Sequence, residues 1–281
     1  MSMTHSPEND MAARWNGPSG NVWVEEQPLL DEVLRPMQDL LLEGLPAGSG
    51  GRILDVGCGT GGTTVAIARR LGPGGQYVGV DISEPMVTAA RERAGREGAA
   101  ATFVQGDAQE YPFEPGSFDT VVSRFGVMFF NDFVRAFTNL RRAAADGAGL
   151  RMVVWRGAEE NPFMTTAERA AAPLLPDLPA RPKDGPGQFA FADPKRVREV
   201  LDRSGWAEAN VEPYDVPCAF PSADLVRYFT RLGPLGQVMP DVDEPTRTRL
   251  VETVRAAFEP FVDGPQVRFT AACWVMTARA S

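Results

Sequence analysis

The apolar positions of this chain fall into two alternating periods. Leu29, Leu30, Val33, Leu34, Met37, Leu40, Leu41 and Leu42 recur at helical spacing, which predicts an amphipathic helix over residues 28–43 with Pro36 inside it. Short apolar runs at 52–56, 76–80, 101–105, 118–122 and 149–155 then read as strands. Between them, residues 61–71, 84–96 and 132–145 carry helical patterns, the first stopped by Gly72-Pro73-Gly74-Gly75. Strands and helices alternating at this pace predict an α/β fold, with a doubly wound, mostly parallel sheet covered by helices on both faces.

Beyond Trp155 the rhythm breaks. Residues 156–192 are rich in Pro, Ala and Gly, with a short helix expected over 162–172. Asp193-Pro194 reads as an N-cap and first helical residue of a helix to Arg203. A strand over 209–216, helices over 222–232 and 244–261, and a closing strand over 267–278 complete the pattern. Residues 1–20, rich in Pro, Gly, Ser and Asn, read as a tail. The expected organisation is a tail and amphipathic helix over 1–45, then a sheet domain over 46–281. Insertions at about 156–192 and 218–264 are expected to form a lid at one edge of that sheet.

Composition narrows the function classes. The net charge is −9 over 281 residues and no basic run occurs, which argues against nucleic-acid binding. No apolar stretch approaches the ~20 residues that span a bilayer, and the first ten residues are polar, so a cytoplasmic protein is expected. Cys58, Cys218 and Cys273 are too scattered for a metal or disulfide framework, and no metal is expected. The one histidine, His5, lies in the tail, so histidine-based catalysis and His-ligated zinc are disfavoured. No motif bears on oligomeric state.

The chemistry concentrates at strand ends. Ile53-Leu54-Asp55-Val56 runs into Gly57-Cys58-Gly59-Thr60-Gly61-Gly62, a strand that turns sharply into a helix. Glycines there tolerate positive φ and bring backbone N–H groups close to a ligand. Asp81, ending the second strand, suits a ribose with two free hydroxyls, as found in nicotinamide cofactors and in S-adenosylmethionine. Three details favour the latter. Asp55 precedes the glycines, where a carboxylate repels a pyrophosphate and attracts an ammonium. Asp107, in Gly106-Asp107-Ala108, can accept from an exocyclic adenine amine. Ile82 follows the ribose acid and can pack on adenine.

Residues 52–155 resemble the class I S-adenosylmethionine-dependent methyltransferases, nearest the ubiquinone/menaquinone-biosynthesis-like small-molecule group. The resemblance rests on Leu54-Asp55-Val56-Gly57-Cys58-Gly59-Thr60-Gly61, Val80-Asp81-Ile82-Ser83, Gln105-Gly106-Asp107-Ala108 and Phe118-Asp119-Thr120-Val121-Val122-Ser123, in this order. It implies a Rossmann-like, seven-stranded sheet closed by an antiparallel last strand. It also implies S-adenosyl-L-methionine as cofactor, held by Asp55, Gly57, Cys58, Gly59, Gly61, Asp81, Ile82, Met86, Asp107, Ala108, Ser123 and Arg124. In that scheme the glycines wrap the methionine portion, Asp55 lies near its ammonium, and Met86 covers the base. The loop before the fifth strand departs from the family's Pro-Gly-Gly and reads Asp146-Gly147-Ala148-Gly149. The fuller signatures of quinone-biosynthesis enzymes are absent.

The acceptor is less legible. Arg124 is a weak candidate for binding a carboxylate of cofactor or substrate. Phe125, Met128, Phe129 and Phe130 read as core or pocket wall. Trp15 and Trp23 read equally as a flap or as packing, and Tyr214 and Tyr228 are candidate pocket groups. Without an imidazole, acceptors that need no strong base are expected: carboxylates, amines, activated carbons or acidic phenols. The apolar content of the insertions points to a moderately hydrophobic pocket, and the expected substrate is a small molecule, hydrophobic or carboxylate-bearing. A cofactor-binding regulator without catalysis and a nicotinamide-dependent oxidoreductase are the competing classes.

Overall fold

The computed structural model describes residues 11–45, 50–181 and 185–281; His5 and the first ten residues of the expected tail lie outside them. Strands β1 (Arg52–Val56), β2 (Gln76–Asp81), β3 (Ala101–Gln105), β4 (Phe118–Arg124), β5 (Ala144–Trp155), β6 (Trp206–Pro221), β7 (Val262–Asp263) and β8 (Gln266–Ala280) form one sheet. Its order is β3-β2-β1-β4-β5-β8-β6, and the two-residue β7 pairs with the start of β8. The first five strands of that order are parallel, and β8 is antiparallel to both β5 and β6. Helices α4 (Gly62–Leu71), α5 (Glu84–Glu97) and α6 (Phe133–Ala143) follow β1, β2 and β4 in the chain. Strand order reverses at β1 and β4, so their carboxyl ends open the crevice where such sheets bind ligands.

The sheet is buried because its strands are apolar on both faces. Leu54, Val56, Val80, Val121, Val122, Val153 and Val154 are all essentially inaccessible. Helix starts are capped by short polar side chains: Asp132, Asp193 and Asp243 accept from the amides of Arg135, Lys195 and Thr246. These caps open α6, α8 (Pro194–Arg203) and α11 (Glu244–Ala257).

Three expectations are corrected. Residues 11–20 are not tail: they form α1 (Met11–Asn16) and the start of α2 (Pro18–Glu25), ahead of α3 (Gln27–Glu43). Tertiary bonds override their turn-like composition. Asn16 donates to Ile82 O at 3.0 Å and accepts from Glu84 N at 2.8 Å, and Ser83 Oγ donates to Trp15 O at 2.6 Å. Secondly, β6 is twice the expected length and takes in Cys218 and Phe220, so the second insertion begins only after Pro221. Its Pro213, Pro217 and Pro221 are tolerated because β6 is the outer strand, paired only with β8. Thirdly, β5 starts at Ala144 rather than Gly149, and Gly147 supplies a positive φ of 75°.

The first insertion holds α7 (Pro162–Ala171), and the second holds α9 (Leu225–Arg231), α10 (Gly233–Val238) and α11. Asn161, fully buried, knits α7 to the sheet: its amide donates to Gly157 O and Ala272 O, and its oxygen accepts from Ala272 N. Arg227 and Arg231 of α9 pair with Glu26 at the α2–α3 junction, which ties α9 to the N-terminal helices.

Candidate active site

A cavity of about 560 Å³ opens over the carboxyl ends of β1, β2 and β4, within the range that encloses a small-molecule ligand. Its floor is the glycine turn. Gly57 has φ +67° and lies back to back with Gly126, so that a Cβ on Gly57 would sit 2.5 Å from the Gly126 Cα. Gly59 has φ +53°, and its Cβ position is free except for the Met86 Sδ at 3.6 Å. Gly57 therefore lets two backbone segments meet, while Gly59 leaves bare backbone beside the cavity.

Asp81 stands beside this turn. Its Oδ2 accepts from Gly59 N at 2.8 Å and its Oδ1 from Ser83 N at 2.9 Å, which fixes the carboxylate at the cavity wall. Burial pushes its pKa up, and the amide bonds from Ser83 and Gly59 oppose that. Ile82 and Met86 line the wall next to it. Asp107 lies at the end of β3, its oxygens accepting from the Gln109 amide at 2.9 Å and side chain at 2.8 Å. Gln109 in turn accepts from Asp132 N at 2.8 Å. This bridge was not legible beforehand; its only trace in the sequence is an amide two residues after the acid.

The methionine end would lie toward Arg124. That side chain is on the cavity wall, donates to Leu34 O at 3.2 Å, and has its pKa lowered by burial while Asp31 and Asp55 push it up. Asp55 is not on the wall. It is 1% exposed beneath the turn and accepts from Thr64 Oγ1 at 2.6 Å. Burial raises its pKa from 3.8 to about 6, against the Thr64 bond and the Arg124 charge. Cys58, Gly61 and Ser123 also lie behind the wall. Cys58 packs with Val65, Val87, Ala90 and Phe103, and burial holds its thiol protonated. Gly61 starts α4 at φ +80°, against Ala90 and Phe103. Ser123 donates to Val56 O at 2.7 Å and accepts from Gly126 N at 3.2 Å, which clamps β4 to the turn. Gly57, Gly59, Asp81, Ile82, Met86, Asp107, Ala108 and Arg124 do converge on one cavity.

Phe125, at the end of β4, has φ +66°, which a bulky residue adopts only under constraint. Its amide donates to Val153 O at 2.9 Å, and its ring stacks on Trp155 at 4.1 Å and 2°. The strain turns the chain so that Gly126 meets Gly57. The roof over this floor is aromatic: Trp15 meets Trp23 and Phe129 edge-on at 5.7 and 5.3 Å. Phe163, Phe229, Leu232 and Leu235 of the two insertions also line the cavity. Among the described residues no helix is long and apolar enough to cross a membrane.

The glycine turn, Asp81, Asp107 and the half-buried Arg124 thus meet in one cavity at the switch point of the sheet. Comparison with known proteins gives the class. Residues 53–147 match the model of a methyltransferase domain. The chain is 31% identical over 252 residues to a nocamycin O-methyltransferase of Saccharothrix syringae, covering 83% of this chain and 87% of that one. It is 38% identical over 112 residues to a demethylmenaquinone methyltransferase of Thermus thermophilus, covering 40% of this chain and 49% of that enzyme. The fold superposes on a phosphoethanolamine N-methyltransferase of Haemonchus contortus solved with S-adenosyl-L-methionine, with a TM-score of 0.59 at 20% identity. That match covers 99% of this chain and 61% of the other. The chain belongs to the class I S-adenosylmethionine-dependent methyltransferases and is an enzyme of that class.

Proposed function

We propose that the enzyme methylates a small, largely apolar acceptor enclosed between the cofactor and the lid. The observation that carries this reading is the composition of the cavity beyond the cofactor floor: Trp15, Trp23, Phe129, Trp155, Phe163 and Phe229 surround it. Two of the relatives are named for methylating small molecules, one of them at oxygen, which agrees with it.

When bound, S-adenosylmethionine supplies an already activated methyl group. The chain's own residues then have three tasks. Asp81 accepts from the ribose hydroxyls while its amide bonds to Gly59 and Ser83 hold it in place. Ile82, Met86, Asp107 and Ala108 take the adenine, with the Gln109 bridge fixing Asp107. Arg124 faces the methionine carboxylate, and the field of Asp55 favours its ammonium. The aromatic roof excludes water and aligns the acceptor for in-line attack. No histidine lies among the described residues, so an acceptor ionised or nucleophilic at neutral pH, such as a carboxylate or acidic phenol, suits this site.

Calorimetry with S-adenosylhomocysteine tests the cofactor half: wild type binds at micromolar levels, and Asp81→Asn weakens binding about tenfold or more. Unchanged affinity would remove Asp81 from the ribose site. Methyl transfer to a panel of aromatic acids, acidic phenols and simple alcohols tests the acceptor half; preference for the alcohols would overturn it.

A further inference from the structure

One hydroxyl interrupts the apolar roof. Tyr228 lies on α9, with its ring tilted on Phe220 at 5.2 Å and edge-on to Phe258 at 6.3 Å. Neither of those rings lines the cavity, whereas Tyr228 does. Its phenolic oxygen makes no hydrogen bond to a described residue and keeps accessible surface. Tyrosine hydroxyls taken out of bulk water ordinarily find a partner, because leaving one unpaired is costly.

The nearby polar groups are already committed to one another. Arg181 Nε donates to the Glu168 oxygens at 3.0 and 2.9 Å, and its terminal nitrogens donate to Met164 O at 3.1 Å and to Gln188 Oε1. Both charged side chains line the cavity with Tyr228, and a Cβ on Gly233, just past α9, would lie 3.7 Å from Arg181 and 3.9 Å from Glu168. Burial pushes the Tyr228 pKa up, and the Arg181 charge only partly offsets it, so the hydroxyl remains a donor at neutral pH.

We propose that the Tyr228 hydroxyl is the hydrogen-bonding anchor for the methyl acceptor, which is a flat, mainly apolar molecule carrying a hydroxyl or carbonyl oxygen. The proposal rests on the acceptor reading above and adds the polar group that such a molecule presents to the lid. A site built to bond an oxygen discriminates against the isostere that lacks it, because the protein hydroxyl is then left unpaired. Arg181 and Glu168 act as positioning residues that hold the lid loop beside the phenol.

The test uses the full chain saturated with S-adenosylhomocysteine and two probes of matched shape, 2-naphthol and 2-methylnaphthalene, titrated by ligand-observed NMR. Wild type is expected to bind the naphthol about tenfold more tightly than the hydrocarbon. In Tyr228→Phe, which keeps the ring packing, this gap closes to within about twofold while hydrocarbon affinity stays the same. Tyr214→Phe, on the outer strand away from the cavity, retains the gap. Equal affinities in wild type, or a gap that survives Tyr228→Phe, would overturn the anchor and leave the apolar acceptor reading standing. Failure of both probes to bind wild type would overturn that reading and the anchor with it.

Discussion

Replacing Asp55 by Asn should make the cofactor-free protein more stable and the cofactor complex weaker. In the folded chain burial lifts the Asp55 pKa from 3.8 to about 6. At 1.36 kcal/mol per decade, ionising this carboxylate costs the fold about 3 kcal/mol at neutral pH. The sign is opposite to that of a salt-bridged aspartate. Below pH ~3.8 the group is protonated in both states and contributes nothing. Between about 4 and 6 the unfolded chain ionises first, so stability falls as pH rises, and above 6 the full cost is present. Asn removes the charge and still accepts from Thr64 Oγ1, but its NH₂ lacks an evident partner, which takes back about 1 kcal/mol. The net gain is about 2 kcal/mol at pH 7.5. Urea unfolding of both proteins at about pH 5 and 7.5 reads this directly. The difference between them should widen by roughly 1.4 kcal/mol across that interval. Calorimetry should show about tenfold weaker S-adenosylhomocysteine binding in the variant, since the ammonium loses a favourable field and Arg124 loses one of its two carboxylates. A variant that is less stable at pH 7.5, with the wild-type pH slope retained, would refute the reasoning.

Two further substitutions probe the scaffold of the site. Gly57→Ala combines a strained positive φ with a Cβ driven against the Gly126 backbone, and should lose about 2–5 kcal/mol together with cofactor affinity. Gly98→Ala, left-handed at φ +62° but with nothing within 4 Å, should lose only about 1–2 kcal/mol and bind normally; parallel calorimetry and thermal melts separate the two. Asn161→Ala takes the side-chain partner from the Ala272 N–H and one of two donors from both Gly157 O and Ala272 O, which still accept from Glu160 N and Arg156 N, and should cost about 2 kcal/mol in urea unfolding. A loss below about 1 kcal/mol would mean that water replaces the amide.

The chain's local chemistry was readable along its length. The glycine turn, the acids at the ends of β1, β2 and β3, and the alternation of strands and helices each depend on neighbours in sequence, so the cofactor class followed from them. What escaped was set by distant contacts. Residues 11–20 carry turn formers, yet they fold as helices because Ile82, Ser83 and Glu84 bind their backbone and Asn16. The prolines of β6 hid a long strand, since only its place at the sheet edge makes them tolerable. Asp55, Cys58, Gly61 and Ser123 sit inside the right motifs, but the turn curls so tightly that they fall behind the wall they help to shape.

The sequence by itself determined the donor of the methyl group, because a cofactor site built on one turn and three strand ends is encoded locally. Only the tertiary structure decided what surrounds the acceptor. Trp15, Phe163, Arg181 and Tyr228 come from four separated segments, and no pattern of spacing links them. They share one cavity because α1, α7 and α9 are fastened over the same sheet edge by bonds between residues far apart in the chain.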